Sequence, residues 1–337
     1  MAERAIRIGL LGAGAMGAAH AAAWADIADV EVAGVFSRRS ERANAVAAVC
    51  AAKAVTDADL LLDDPSVEAV DICTPTESHF EYALAALAAG KHVFCETPLT
   101  LSFSEGKRLR DAARSACRLL QVGLLMRSIA PYEHVKAQVE SRRNGRLVSL
   151  STWRLGSYLR ADAPDHKAHY GDPASELMTF DFDFAGWLLG RPASLTATSG
   201  RLADMAGPVE IAAILSFSGG AFASVEASGV MPAGHPFTVG FRALFEDALF
   251  ELRNVFSGLA EPESHFTVSR GTASPVDVGI AGRDPYAAEL RRFADCIAER
   301  ADPALLDVER ALEAQSLVEA TRRSLETRRT VEVEPLD

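Results

Sequence analysis

The chain has 337 residues, 49% hydrophobic and 24% charged, with a formal net charge of −12. That is the composition of a soluble globular protein long enough for two domains. Its acidic balance argues against nucleic-acid binding, which needs a basic face, and no run reaches the roughly 18 apolar residues of a membrane span. Five scattered cysteines (Cys50, Cys73, Cys95, Cys117, Cys296) with no Cys-x-x-Cys pair suggest neither a disulfide framework nor a metal site. A reducing cytoplasm is the expected home.

The first third alternates strand and helix signals. A β-branched run at 6–11 leads into Gly12-Ala13-Gly14-Ala15-Met16-Gly17, and an Ala-rich helix is predicted over 16–28. The apolar N-terminus is read as part of this unit and not as a signal peptide. Further strands are predicted at 30–36, 67–73, 92–95 and 119–123, with helices over 41–50, from Ser78 to Gly90 and after Ser102, and a short helical piece at 60–62. Ser78 with Glu81, and Ser102 with Glu105, read as capping boxes. This alternation predicts a parallel, doubly wound sheet of the Rossmann type, with ligands at the C-terminal strand ends. After about residue 125 strands follow without long helices between them, at 147–153, 194–199, 210–217, 221–227, 237–241 and 248–252. They predict an open, mostly antiparallel sheet with one helical insert at 175–189. Asp284-Pro285 opens a helix with Leu290, Phe293, Ala294 and Ile297 on one face, and Asp307 caps the last helix. The expected fold class is therefore α/β. A dinucleotide-binding domain covers 1–124, and an α+β domain for substrate binding and oligomerisation covers 125–337.

The Gly-x-Gly-x-x-Gly element sits between strand and helix, where it carries a mechanism. Gly12 permits the tight turn, Gly14 leaves room for a pyrophosphate, and Gly17 lets the helix pack close. Ala15 and Met16 open the helix, whose N-terminal N–H groups favour an anion. An NAD site usually has an acid at the end of the second strand, but this chain reads Ser37-Arg38-Arg39. A hydroxyl and two guanidinium groups suit a 2′-phosphate, so NADP is expected, with NAD second. The plainer reading of both arginines is a solvated loop. Cys73-Thr74-Pro75 with His79, then Glu96-Thr97, lie at the next strand ends, and Arg127 completes the cofactor set.

These segments together resemble the Gfo/Idh/MocA family of NAD(P)-dependent oxidoreductases of sugars, cyclitols and related compounds. The resemblance rests on GxGxMGxxH at 12–20, TPxxxH at 74–79, AGKHVxCExP at 89–98, WLLG at 187–190, the helix at 286–293 and Val331-Glu332-Val333. It covers essentially the whole chain. It implies an open second sheet that often forms the oligomer interface, hence a homo-oligomer, either dimer or tetramer. It also implies a lysine in Glu-Lys-Pro and an Asp-x-x-x-His pair, and both are altered. The chain reads Glu96-Thr97-Pro98 and Glu176-Leu177-Met178-Thr179-Phe180. Thr97 cannot replace a positive charge, and Phe180 cannot transfer a proton. Glu176 keeps the acid, and His166, His169 and Tyr170 precede it. Asp181 and Asp183 follow Phe180. The catalytic set is taken as Glu176, His169, Tyr170 and Asp181, against ordinary loop contacts for the His and Tyr groups and a structural bond for Asp183. His20 and Trp24 are read as packing or solvent-facing residues, and His79 as capping or packing its helix without reacting. The expected function is an NAD(P)-dependent oxidoreductase of a sugar-like, carbonyl or imine compound. A non-catalytic nucleotide-binding sensor or partner subunit is the alternative, and a redox-neutral glycoside-cleaving enzyme is ranked last.

Overall fold

A computed structural model describes residues 5–160, 162, 172–203, 205, 207–257 and 262–336. The chain forms two compact units, one of 1–129 with 283–312 and one of 130–282 with 313–337.

In the first unit β1 (Ile6–Leu11), α1 (Ala15–Ala25), β2 (Val30–Phe36), α2 (Ser40–Val49), β3 (Lys53–Val55), α3 (Asp59–Leu62), β4 (Ala69–Ile72), α4 (His79–Ala88), β5 (His92–Cys95), α5 (Phe103–Ala116) and β6 (Leu120–Val122) follow in order. The strands pair in parallel in the order β3-β2-β1-β4-β5-β6, with the switch point between β1 and β4. A parallel sheet covered on both faces needs continuous apolar strands, and Ile8, Leu10, Leu11, Val70, Ile72, Val93 and Phe94 are all fully buried. Two local expectations change. β3 has only three residues and no periodicity to announce it. Ser78 stands at the N-cap of α4 but makes no side-chain capping bond, because a 3₁₀ turn over Thr76–Ser78 precedes the helix and turns its hydroxyl back onto Thr74 Oγ1 and the Pro75 carbonyl. Ser102 does cap α5, accepting from the Glu105 N–H at 3.3 Å.

The second unit contains α6 (Ala130–Ser141), β7 (Leu147–Leu155), α7 (Thr179–Leu189), β8 (Ser194–Gly200), β9 (Glu210–Ser216), β10 (Phe222–Ser228), β11 (Phe237–Phe245), β12 (Leu249–Phe256), β13 (Glu263–Ser269) and β14 (Val276–Asp277). Its nine-stranded sheet runs β14-β13-β12-β11-β7-β10-β9-β8 and ends on β15 (Val331–Glu332), antiparallel except between β7 and β10. Strands alternate buried and exposed residues. Tyr132 of α6, Phe184 of α7 and Phe241 of β11 pack with ring centroids 4.7–5.3 Å apart, tying both helices to one face. Val148, Ile214, Phe222 and Leu244 are exposed apolar residues of the same strands.

The chain then returns to the first unit with α8 (Pro285–Ile297). Asp284 Oδ1 accepts from the Tyr286 and Ala287 N–H groups, as its Asp-Pro start implied. Phe293 packs on Phe94 of β5 at 5.5 Å, and Arg291 and Arg300 both pair with Asp29. This is why 283–312 belongs with the first unit, against an expected division after residue 124. α9 (Val308–Thr327) begins after Asp307, which caps it, and β15 (Val331–Glu332) joins β8. Among the described residues no helix is long and apolar enough to cross a membrane.

Candidate dinucleotide site and acid–base groups

The three glycines have different neighbours. Gly12 has φ +121°, and a Cβ there would stand 2.5 Å from the Cys73 carbonyl oxygen. A Cβ on Gly17 would stand 2.1 Å from the Gly12 oxygen. Both positions are closed to any side chain by backbone. Gly14 is the opposite: it caps α1 without a side-chain bond, and a Cβ there would meet nothing within 4 Å. The first turn of α1 carries no acid, so its N–H groups at Ala15, Met16 and Gly17 and its dipole remain available to an anion. The cradle fits a pyrophosphate. At the end of β2, Ser37 Oγ accepts from the Arg39 N–H, and Arg38 and Arg39 are exposed and outside any ion pair among the described residues.

The strand ends beyond are more tightly bound than their sequence suggested. His79 is buried, with Nδ1 3.0 Å from the Pro98 oxygen and Nε2 2.7 Å from the Thr74 oxygen. Burial lowers its pKa. It staples the Cys73-Thr74-Pro75 segment to the Glu96-Thr97-Pro98 segment and presents no free nitrogen to a ligand. The Thr97-Pro98 peptide is cis. The Thr97 hydroxyl donates to the Gly123 carbonyl at 2.8 Å, and its N–H donates to Glu96 Oε2 at 3.2 Å. Arg127 is also buried and donates to the Leu305 carbonyl.

Behind these ends lies a polar cluster that sequence reading missed. His20 Nδ1 is 2.9 Å from Asp71 Oδ2, which also accepts from Trp24 Nε1 at 2.7 Å. His20 Nε2 stands 2.7 Å from Glu96 Oε1, without the alignment of a hydrogen bond. Cys73 Sγ is 3.2 Å from His20 Nδ1, and the Tyr286 ring lies 5.6 Å from the imidazole. Burial alone would lower the His20 pKa, but the Asp71 carboxylate and Cys73 outweigh it and raise it well above the ordinary value. Burial, then the Asp71 charge, keeps Cys73 a thiol. Glu289 of α8 is fully buried, and burial followed by the Glu96 charge raises its pKa well above the ordinary carboxylate value. One side-chain nitrogen or oxygen each from His20, Glu96 and Glu289 lies within 4.8 Å of the others, as do a nitrogen, an oxygen and a sulfur of His20, Asp71 and Cys73. The members are far apart in the sequence, and the fold alone brings them together. Two signals were present in the sequence: an acid, Asp71, in the middle of an apolar strand, and Glu289 beside the apolar face of its helix.

In the second unit, the residues taken as acid–base groups precede and open α7. His166, His169 and Tyr170 lie outside the described residues. Ala174–Met178 forms a π-turn, so the i, i+4 spacing that would align Glu176 with Phe180 on an α-helix does not apply here. Glu176 and Phe180 are half-buried. The Phe180 ring lies under the Arg154 guanidinium, 4.7 Å from its centre, and Arg154 Nε donates to Asp181 Oδ2 at 2.9 Å. Burial raises the Asp181 pKa against the pull of Arg154. Asp181 is thus sealed in a buried ion pair, and Asp183 is buried too.

A groove of about 880 Å³ lies at the opposite strand ends of the first unit, beside His92, Arg114, Arg118 and Glu309. Arg114 is paired with Glu309 there, and no expected site residue lines it, so the strand-end cradle is the better site.

Profiles of known families match both units. The oxidoreductase family with an NAD-binding Rossmann fold matches residues 6–124, and the GFO/IDH/MocA C-terminal domain matches 132–249. The chain is 28% identical to a myo-inositol 2-dehydrogenase of Thermotoga maritima, covering 98% of this chain and 99% of that one. It is 26% identical to a scyllo-inositol 2-dehydrogenase (NAD(+)) of Bacillus subtilis, over 77% of this chain and 76% of the other. A UDP-N-acetylglucosamine 3-dehydrogenase structure from Acidithiobacillus ferrooxidans superposes with a TM-score of 0.80 at 25% identity, covering 96% and 99% of the two chains.

Proposed function

Because this chain belongs to the Gfo/Idh/MocA family of NAD-binding oxidoreductases, we propose that it is a dehydrogenase or reductase of a polyhydroxylated, carbonyl or imine small molecule. The open cradle at Gly14 carries this reading, supported by relatives that are inositol and amino-sugar dehydrogenases. The nicotinamide group, when bound, supplies hydride acceptance and donation. The protein's part is to hold the dinucleotide and manage a proton. Gly14, Ala15, Met16 and Gly17 would hold the pyrophosphate. Ser37, Arg38 and Arg39 would hold a 2′-phosphate, which makes NADP the preferred form and NAD the second.

Proton management differs from the family pattern. Thr97 spends its hydroxyl on Gly123, and Phe180 has no proton to give. Asp181 is closed off by Arg154, so among the described residues Glu176 is the favoured proton acceptor, and His169 and Tyr170 stay in the proposed set on the sequence alone. A carboxylate there would take the hydroxyl proton as the carbon loses hydride. Phe180 makes its surroundings less polar, which suits a keto or imine carbon better than a small, fully hydroxylated sugar. The exposed residues Val148, Ile214, Phe222 and Leu244 support a homo-oligomer through the second sheet. Free cysteines support a cytoplasmic setting.

The test is a panel of ketosugars, cyclitols, aldehydes and imines assayed with NADPH and NADH or their oxidised forms. Turnover with a tighter constant for NADP(H) is expected. Binding without oxidation or reduction of any compound would leave a sensor, a reading that Thr97 and Phe180 favour but the relatives do not. The Thr97→Lys, Phe180→His double variant sharpens the result, since gained cyclitol dehydrogenase activity would show an intact scaffold with a diverged site.

A further inference from the structure

Ionisable groups from four elements meet behind the C-terminal ends of β4 and β5. α1 supplies His20, β4 and the residue after it supply Asp71 and Cys73, Glu96 follows β5, and α8 supplies Tyr286 and Glu289, with Asp284 at its start. Asp71 and Glu96 flank His20 at 2.9 and 2.7 Å. An imidazolium between two carboxylates leaves one negative charge. No lysine or arginine pairs with Asp71, Glu96 or Glu289 among the described residues. Glu289 is fully buried, and neither carboxylate oxygen meets a hydrogen-bond donor, yet it sits within 4.8 Å of both the His20 nitrogen and a Glu96 oxygen. A buried carboxyl in that position is at lowest free energy when it carries a proton directed at the neighbouring carboxylate. Glu96 links the cluster to the surface. Its side chain is 14% exposed where His20 and Asp71 are sealed, and a Cβ on Gly123 would crowd its carboxylate at 3.2 Å. It stands at a strand end where a doubly wound fold binds its ligand.

We infer that the Glu96–Glu289 pair, braced by His20 and Asp71, discriminates between the redox forms of the cofactor, favouring the oxidised, cationic nicotinamide over the reduced, neutral one. The inference rests on the dinucleotide reading of the glycine turn. A net negative cluster attracts the cationic ring and is indifferent to the neutral one. Loss of the Glu289 proton as pH rises deepens the negative charge, so discrimination increases with pH. Binding of the oxidised form releases a proton from the pair, and binding of the reduced form does not.

The experiment measures dissociation constants of both redox forms of the preferred dinucleotide from about pH 6 to about pH 9. Titration calorimetry of the wild-type protein in two buffers of different ionisation enthalpy counts the protons released. The ratio of reduced to oxidised constants is expected to rise with pH in the wild type. Glu289→Gln keeps a donor at the site and should bind both forms with a ratio that no longer depends on pH. Glu96→Gln should lower the ratio by about tenfold, one pKa unit's equivalent. A flat ratio and no proton release in the wild type would overturn the inference while leaving dinucleotide binding intact. An unchanged slope in Glu289→Gln overturns it as well, as does stoichiometric zinc or manganese in the purified protein, which would make the cluster a ligand set. Failure of both redox forms to bind sinks the dinucleotide reading and this inference with it.

Discussion

Gly12, Gly14 and Gly17 are equivalent letters in a motif but not equivalent positions. Gly17→Ala forces a Cβ to 2.1 Å from a carbonyl oxygen and should cost about 3 kcal/mol of stability, read by urea denaturation. A Cβ on Gly14 meets no protein atom within 4 Å, so Gly14→Ala should lower the urea midpoint only slightly, while dinucleotide affinity falls about tenfold because the methyl group occupies the anion's approach. Arg154 offers a second contrast. Arg154→Ala leaves Asp181 charged and buried without its partner, which should cost about 3–5 kcal/mol, whereas Arg154→Met with Asp181→Leu removes both charges and should recover most of it. The motif glycines were legible because their demands are local. His20 was also visible, at a fixed place in the opening motif, but its role was not. Packing or solvent exposure was the expectation for it; it does pack, buried against Phe94 and Tyr286, but its charge state was hidden because the residues that decide it, Asp71, Glu96 and Glu289, lie 51, 76 and 269 positions away in the chain.

At the level of elements, most long periodic segments were read correctly, but α6, a helix of 12 residues of which only Tyr132 and Val135 are buried, was not expected, and several short or polar strands were missed as well. β3 and β14 are too brief to show alternation. β13 reads Glu-Ser-His-Phe-Thr-Val-Ser, with only Phe266 and Val268 turned inward, so its edge-side polarity masks a strand. The two predicted capping boxes separate cleanly. Ser102→Ala should lower stability by about 1 kcal/mol, and Ser78→Ala by clearly less, since the Ser78 hydroxyl caps no helix. The π-turn at Ala174–Met178 is the element with most bearing on chemistry. One wider turn breaks the i, i+4 logic by which a helix would align Glu176 and Phe180, and no composition signal announces it.

For the whole molecule, the placement of α8 is decisive. A fragment ending at residue 124 should fail to give a cooperative unfolding transition, because Phe94 loses Phe293 and Asp29 loses Arg291 and Arg300. Supplying residues 283–312 through a flexible linker should restore it. The pH profile of the melting temperature should fall at both ends. The hydrogen bond from Arg291, aided by Arg300, holds the Asp29 pKa down at about 2. Its contribution is complete above the ordinary value of 3.8 and lost as pH drops towards 2. His20 and Glu289 have raised values, so their contributions are complete below 6.5 and 4.5 and are lost as pH climbs through the folded-state values. Asp29→Asn should flatten the acid limb and Glu289→Gln the alkaline one. Replacing Ile214 and Phe222 by lysine should turn the proposed oligomer into a monomer by light scattering, with the fold kept, since both side chains are already exposed. The sequence by itself determined the doubly wound sheet, the glycine cradle and the arginine pair after β2, because backbone geometry and strand periodicity are written in residues near one another. The tertiary structure alone decided that α8 completes the first unit, that Asp181 is closed off by Arg154, and that four elements enclose one shared buried charge, because burial and charge pairing depend on residues brought together from distant parts of the chain.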